Sequence, residues 1–118
     1  MKLLIASLTL LVTSASSYAL SCHGTEPFWS AEISENNLSF DQFTYPSVSY
    51  DVTKVSPANG FSSDYIQVYS DDRGPLAVVK SDKCSDGMND ADFPKEIIIF
   101  TGSGTYFGCC GEGTPTQP

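Results

Sequence analysis

The chain has 118 residues, with 14 acidic against 6 basic side chains and a formal net charge of −8. That excess of acid argues against binding to nucleic acid or anionic lipid, because both require a basic surface. The length suits one small domain, and 4 cysteines in so short a chain point to cross-links that supplement a modest core.

Residues 1–19, MKLLIASLTLLVTSASSYA, open with one Lys, continue with an apolar run from Leu3 to Val12 and end on Ser17-Tyr18-Ala19. This is the three-part layout of a secretory signal peptide with cleavage after Ala19. The apolar run is shorter than the roughly 20 residues needed to span a bilayer, so no transmembrane segment is expected. The alternative is a lipoprotein signal in which Cys22 carries a lipid anchor to the outer membrane. Ala19 argues against it, being small where such signals carry a large aliphatic residue. The expected organisation is a signal peptide (1–19), a single β-barrel-like domain (20–111) and a disordered tail (112–118). Without Lys2 the rest of the chain has 5 basic and 14 acidic side chains, a net charge of −9.

Period-two patterns dominate the exported part. Phe28–Ser34 puts Trp29, Ala31 and Ile33 on one face and Ser30, Glu32 and Ser34 on the other. Glu35-Asn36-Asn37 is a turn, and 38–43 returns with Leu38 and Phe40 aligned. Ser47–Val55 is the clearest strand, setting Val48, Tyr50 and Val52 against Ser47, Ser49, Asp51 and Thr53. Residues 56–63 read as loop, 64–70 as strand, Asp71-Asp72-Arg73-Gly74 as turn and 75–82 as strand. A single helical turn is allowed near 86–93. Glu96–Gly102 is a continuous apolar, β-branched run, expected to be buried on both sides. Gly102-Ser103-Gly104 makes a hairpin to 105–111. Seven or eight short strands with tight turns predict an all-β fold, an antiparallel meander closed as a small barrel or flattened as a sandwich.

The four cysteines allow three pairings. Cys109 and Cys110 are adjacent, so on a strand they point to opposite faces and reach different partners. Cys22 and Cys84 then take one each. Cys84–Cys109 with Cys22–Cys110 is favoured, and the reverse pairing stays open.

CHGTEPFW, residues 22–29, holds the sole His and sole Trp of the sequence. Gly24 is expected to permit a sharp bend. Pro27 fixes its own backbone and extends Glu26. Trp29 then opens the first strand and plugs the barrel end. Glu26 is read as a carboxylate that ties down a turn, with a ligand-facing acid as the functional alternative. His23 next to Cys22 is not read as a catalytic pair, since neighbours on an extended chain point apart and an oxidised cysteine has no thiolate. No C-x-x-C pair marks a zinc site. The acidic stretch 81–93 offers Asp82, Asp86, Asp90 and Asp92 as weak calcium ligands, without the closing Glu of an EF-hand. A solvated turn stapled by Cys84 competes with that reading. The tyrosines 45, 50, 65, 69 and 106 are numerous enough for some to line a barrel mouth, a natural ligand pocket, while core packing accounts for most of them.

Three pieces, C-x-G-x-E-P-F-W at 22–29, C-x-D-G-M-N-D at 84–90 and G-C-C at 108–110, together resemble an uncharacterised family of small bacterial envelope proteins. That family carries G-x-E-P-F-W near the mature start, C-x-D-x-M-S-D later and a terminal G-C. The resemblance spans nearly all of the exported chain, with Asn89 where the family has Ser. It implies that Gly24, Glu26, Pro27, Phe28, Trp29, Cys84, Asp86, Met88, Asp90 and Cys109 form one structural and functional set. It also implies a Gram-negative-type envelope and a Cys84–Cys109 bond, and it supplies no activity. Some relatives occur beside small β domains such as the META type and the C-type lysozyme inhibitors. This chain lacks the inhibitors' own signature.

The expectation is an exported, non-catalytic, monomeric binding or envelope-accessory module, periplasmic or secreted. Its ligand is a protein or small molecule and it has no obligatory cofactor. The alternatives are an inhibitor of a basic secreted enzyme such as lysozyme and a weak calcium-binding domain. The N-terminal corner and the acidic loop are expected to meet, with Glu26, Asp86 and Asp90 on one edge.

Overall fold

The computed structural model describes residues 19–25, 27–43, 45–87 and 92–113. The signal-like segment, apart from Ala19, lies outside them. All regular structure among the described residues is β, and no helix is long and apolar enough to cross a membrane. Nine strands form one antiparallel sheet: β1 (Ala19–Thr25), β2 (Phe28–Ile33), β3 (Asn37–Gln42), β4 (Tyr45–Asp51), β5 (Lys54–Pro57), β6 (Ile66–Asp71), β7 (Gly74–Lys80), β10 (Lys95–Thr101) and β11 (Gly104–Gly113). A separate two-stranded ladder, β8 (Cys84–Ser85) with β9 (Asp92–Phe93), is inserted between β7 and β10.

The all-β meander expected from the sequence is present, with eleven strands among the described residues in place of seven or eight. Three differences account for the count. Residues 19–25 form a full strand, because they fill the gap between β2 and β11 and pair with both. The stretch 47–55 divides into β4 and β5. Cys84–Ser85 and Asp92–Phe93 add β8 and β9, and the helical turn allowed near 86–93 falls on 88–91, which lie outside the described residues. The last strand also runs two residues beyond the expected boundary. Glu112 and Gly113, assigned to the tail, pair with Leu20 and Ala19.

The division of 47–55 explains how the sheet curls. In sheet order the two ends are β4 and β5, which are consecutive in the chain. Val52 N–H donates to Asn36 O at 3.0 Å, on the β3 side, and Thr53 N–H donates to Ser70 O at 2.8 Å, on the β6 side. One continuous segment thus exchanges one neighbour strand for another at the Val52–Thr53 step, which draws the two sheet ends together there. Beyond that step the first half of β4 pairs with β3 alone. It is an edge, and Pro46 on it removes one ladder donor.

The concave face carries the core. Trp29, Ala31, Ile33, Leu38, Phe40, Val52, Tyr69, Ala77, Val79, Ile97 and Ile99 are buried together with Cys22 and Cys110. The Glu96–Gly102 run is not buried on both sides. Ile97 and Ile99 are 0% and 1% exposed, whereas Ile98 and Phe100 are 37% and 39% exposed. The sheet has one packed layer, so its convex face stays wet and strict alternation returns.

Candidate functional site

Cys22 and Cys110 are direct partners in the β1–β11 ladder, and their disulfide lies inside the core. Cys109 faces the opposite side and bonds to Cys84, which fastens the β8–β9 ladder to the convex face. Of the two pairings that alternation allows, the favoured one is present. All four sulfurs are engaged, so no free thiol remains and the sulfur of Cys22 is committed to Cys110.

Gly24 is not a bend. It lies within β1 opposite Trp29 of β2, outside the left-handed region. A Cβ at Gly24 would strike the indole, with Trp29 Cε2 only 2.6 Å away, and a Cβ at Gly108 would sit 2.6 Å from Trp29 Cζ2 and overlap the His23 carbonyl. The two glycines, on adjacent strands, are the floor on which the Trp29 ring lies. The ring is packed on its other sides by Phe40 at 5.6 Å and Tyr106 at 6.3 Å between centroids. The G-x-E-P-F-W and G-C-C stretches therefore share one packing requirement.

The next residue out alternates to the convex face. His23, opposite Cys109, takes Asp86 at 3.0 Å through Nε2, and Phe93 approaches the imidazole edge-on at 4.8 Å. The Asp86 side chain is nearly buried. One disulfide, one His–Asp contact and one ring contact thus dock the acidic hairpin onto β1 and β11. The corner and the acidic loop do meet, through His23 and Asp86. Glu26 and Asp90, expected on that edge, lie outside the described residues, as does Met88.

The two other described acids of this stretch, Asp82 and Asp92, turn to different cations. Asp82 lies 3.5 Å from Lys80, and Asp92 lies 3.9 Å from Lys83. Among the described residues no three His, Cys, Asp or Glu side chains group as metal ligands.

Two clefts flank the docked hairpin. One of about 360 Å³ runs between Pro27, Trp29, Asp86 and Phe107. The other, about 390 Å³, is bordered by Phe28, Ser30, Asp41, Phe43 and Asp86. Phe28 and Phe43 stand out of its rim, 54% and 88% exposed, in edge-to-face contact at 6.4 Å. Asp41 and Phe43 carry no motif, and their role depends on β3 lying beside β2.

A third concavity of about 440 Å³ opens at the inner side of the β4 edge. Val48 stands opposite Phe40 and so faces inward, yet it is 44% exposed. Tyr45, Tyr50 and Tyr106 surround it, and Ser103 and Gln42 both reach the Tyr106 hydroxyl. Of the five tyrosines, these three line the concavity, Tyr50 and Tyr106 also packing against the core. Tyr65 lies instead under Lys80 on the far loop. Tyr69 is buried near a charged cleft that includes Glu35, Lys54 and Lys95. Burial, and then the Glu35 charge, push the Tyr69 hydroxyl above its ordinary pKa.

No family model matches the chain, and neither a curated protein nor a solved structure does.

Proposed function

We propose that this chain is an exported, non-catalytic, monomeric module of the bacterial periplasm or exterior that binds a ligand on its curled sheet. The supporting observation is the sheet itself, stapled on both faces by disulfides yet open along the β4 edge. Two disulfides with no free thiol suit an oxidising compartment. They also remove the thiolate that a cysteine hydrolase would use. The pairing of Cys22 favours a chain released from its signal segment over one anchored by lipid at that residue. The similarity to the envelope family agrees with this reading and adds no ligand.

Native mass spectrometry of protein purified from an oxidising compartment, with calcium and with chelator, tests the proposal. The expected species has residue 20 at its start, four oxidised cysteines and no acyl mass. Acylation at Cys22 or a reduced thiol pair would overturn it.

A second reading, an inhibitor of a basic secreted enzyme, is favoured by the cleft where exposed Phe28 and Phe43 stand beside Asp41 and Asp86. With a net charge of −9 on the exported chain, such binding to lysozyme would weaken steeply with salt. Pull-down on immobilised lysozyme at low and high salt separates the two readings.

A further inference from the structure

We propose that the concavity under the β4 edge is a binding site for a neutral carbohydrate, stacked on Tyr45 and held by the hydroxyl and amide groups of the rim. This rests on the reading of the chain as a binding module and names the ligand class.

The first ground is charge. The exported chain has 14 acids, and charged side chains border the two clefts beside the docked hairpin, the cleft at Tyr69 and a small cleft between Asp71, Arg73 and Leu76. The lining of this concavity contains none among the described residues. An anionic or cationic ligand would leave water for a site without a counter-charge, at a desolvation cost nothing repays.

The second ground is the way apolar and polar groups are arranged. Phe40, Pro46 and Val48 line the concavity, and Tyr45 stands over it 64% exposed. An exposed tyrosine presents a flat, electron-rich face at little conformational cost. The C–H face of a pyranose carries the complementary partial positive charge and lies flat on such a ring, while its hydroxyls project from the edge. At that edge Gln42 Nε2 donates to Tyr106 Oη at 3.2 Å, Ser103 Oγ and Tyr106 Oη share a hydrogen bond at 3.1 Å, and Thr101 Oγ1 and Ser103 Oγ share one at 3.0 Å. The Gln42 carboxamide oxygen and the Tyr45 and Tyr50 hydroxyls take no hydrogen bond among the described residues. They offer both acceptors and donors. A purely apolar ligand would leave this polar rim unpaired, and a hydroxyl-bearing ligand satisfies it.

The third ground is pre-formation. The Tyr106 ring packs on Phe40 at 5.1 Å and on Trp29, and the 101–104 turn is fixed by Ser103 and Gly104 N–H donating to Thr101 Oγ1 at 3.1 Å each. The groups that would read the sugar are held before it arrives. The volume of about 440 Å³ lies in the range of small-ligand sites.

The test uses the full disulfide-bonded exported chain on an array of neutral and charged glycans, followed by NMR titration with triacetylchitotriose and maltotriose. The expected result is binding to neutral glycans, with amide shifts clustered at Tyr45, Val48, Tyr50 and Ser103. Affinity should change little between about 0.05 and about 0.5 M NaCl. Tyr45→Ala, at an exposed position, should weaken binding about tenfold. Val48→Asp should abolish it by bringing an unpaired charge into the site, while Phe43→Ala leaves it unchanged. Absence of binding to every neutral glycan overturns the proposal, as does preference for charged glycans or shifts confined to the Phe28–Phe43 rim. Capture of a charged ligand or a basic protein at that rim would reject this inference and leave the binding-module reading standing.

Discussion

Gly24→Ala tests the packing of the N-terminal corner most directly. The added methyl carbon would lie 2.6 Å from Trp29 Cε2 and 2.8 Å from Cδ1. The added carbon also overlaps Trp29 Nε1, and relaxed contacts are about 3.5–4.0 Å, so the indole must retreat by about 1.5 Å. Phe40 and Tyr106 bound the ring on its other sides, and Tyr106 is tied to Gln42 and Ser103. The shift is therefore passed through the aromatic cluster. Overpacking of this kind costs about 2–3 kcal/mol, partly offset by the smaller entropy of the unfolded Ala chain. For a domain of this size the expected fall in Tm is roughly 10–20 °C. Urea unfolding followed by far-UV circular dichroism gives the loss directly. Gly102→Ala is the matched control, because its Cβ would meet nothing within 4 Å and its φ is not left-handed. It should leave stability unchanged or raise it by about 0.4–1 kcal/mol. In a Trp29→Ala background the cost of Gly24→Ala should fall below about 0.5 kcal/mol. An equal loss in both backgrounds would refute the claim that the glycine exists to seat the indole.

Three further outcomes are expected. Removing Cys84–Cys109 by paired Ser substitution should cost about 3.5 kcal/mol on chain entropy for a separation of 25 residues, against about 4.6 kcal/mol for Cys22–Cys110 at 88, and calorimetry ranks the two. Asp86→Ala should lower hydrogen-exchange protection of the 84–87 and 92–93 amides by about 1–3 kcal/mol while Ile97 and Ile99 stay protected, since the His23 contact holds the hairpin and not the core. Tyr69 has a folded pKa raised above 10.0 by burial and Glu35, so its contribution to stability is intact below pH 10 and is lost as pH rises through the folded value. Alkaline unfolding should therefore be shallower in Tyr69→Phe, as read from Tm against pH.

Much of the fold was legible because alternation is a local property. Trp29, Ala31 and Ile33 share a face in any strand they form, and adjacent Cys109 and Cys110 must diverge. The same logic placed His23 away from Cys22 and brought the corner to the acidic loop through the cysteines. It failed where a neighbour strand decides the outcome. Ile97–Phe100 reads as doubly buried by composition, yet only one face of β10 is covered. Gly24 reads as a bend, since glycine is permissive in isolation. Its real reason is a ring on the next strand.

The sequence alone determined the β class, the two-faced cysteine arrangement and the excess of acid. All three follow from side-chain chemistry and the period of an extended chain. The tertiary structure decided which inward residues find cover. Tyr50 and Val48 belong to one face of one strand. The chain changes partner at Val52–Thr53, so Val52 is buried while Val48, four residues earlier, faces an open concavity. That difference depends on which strands close around the segment, and long-range pairing carries no local signature.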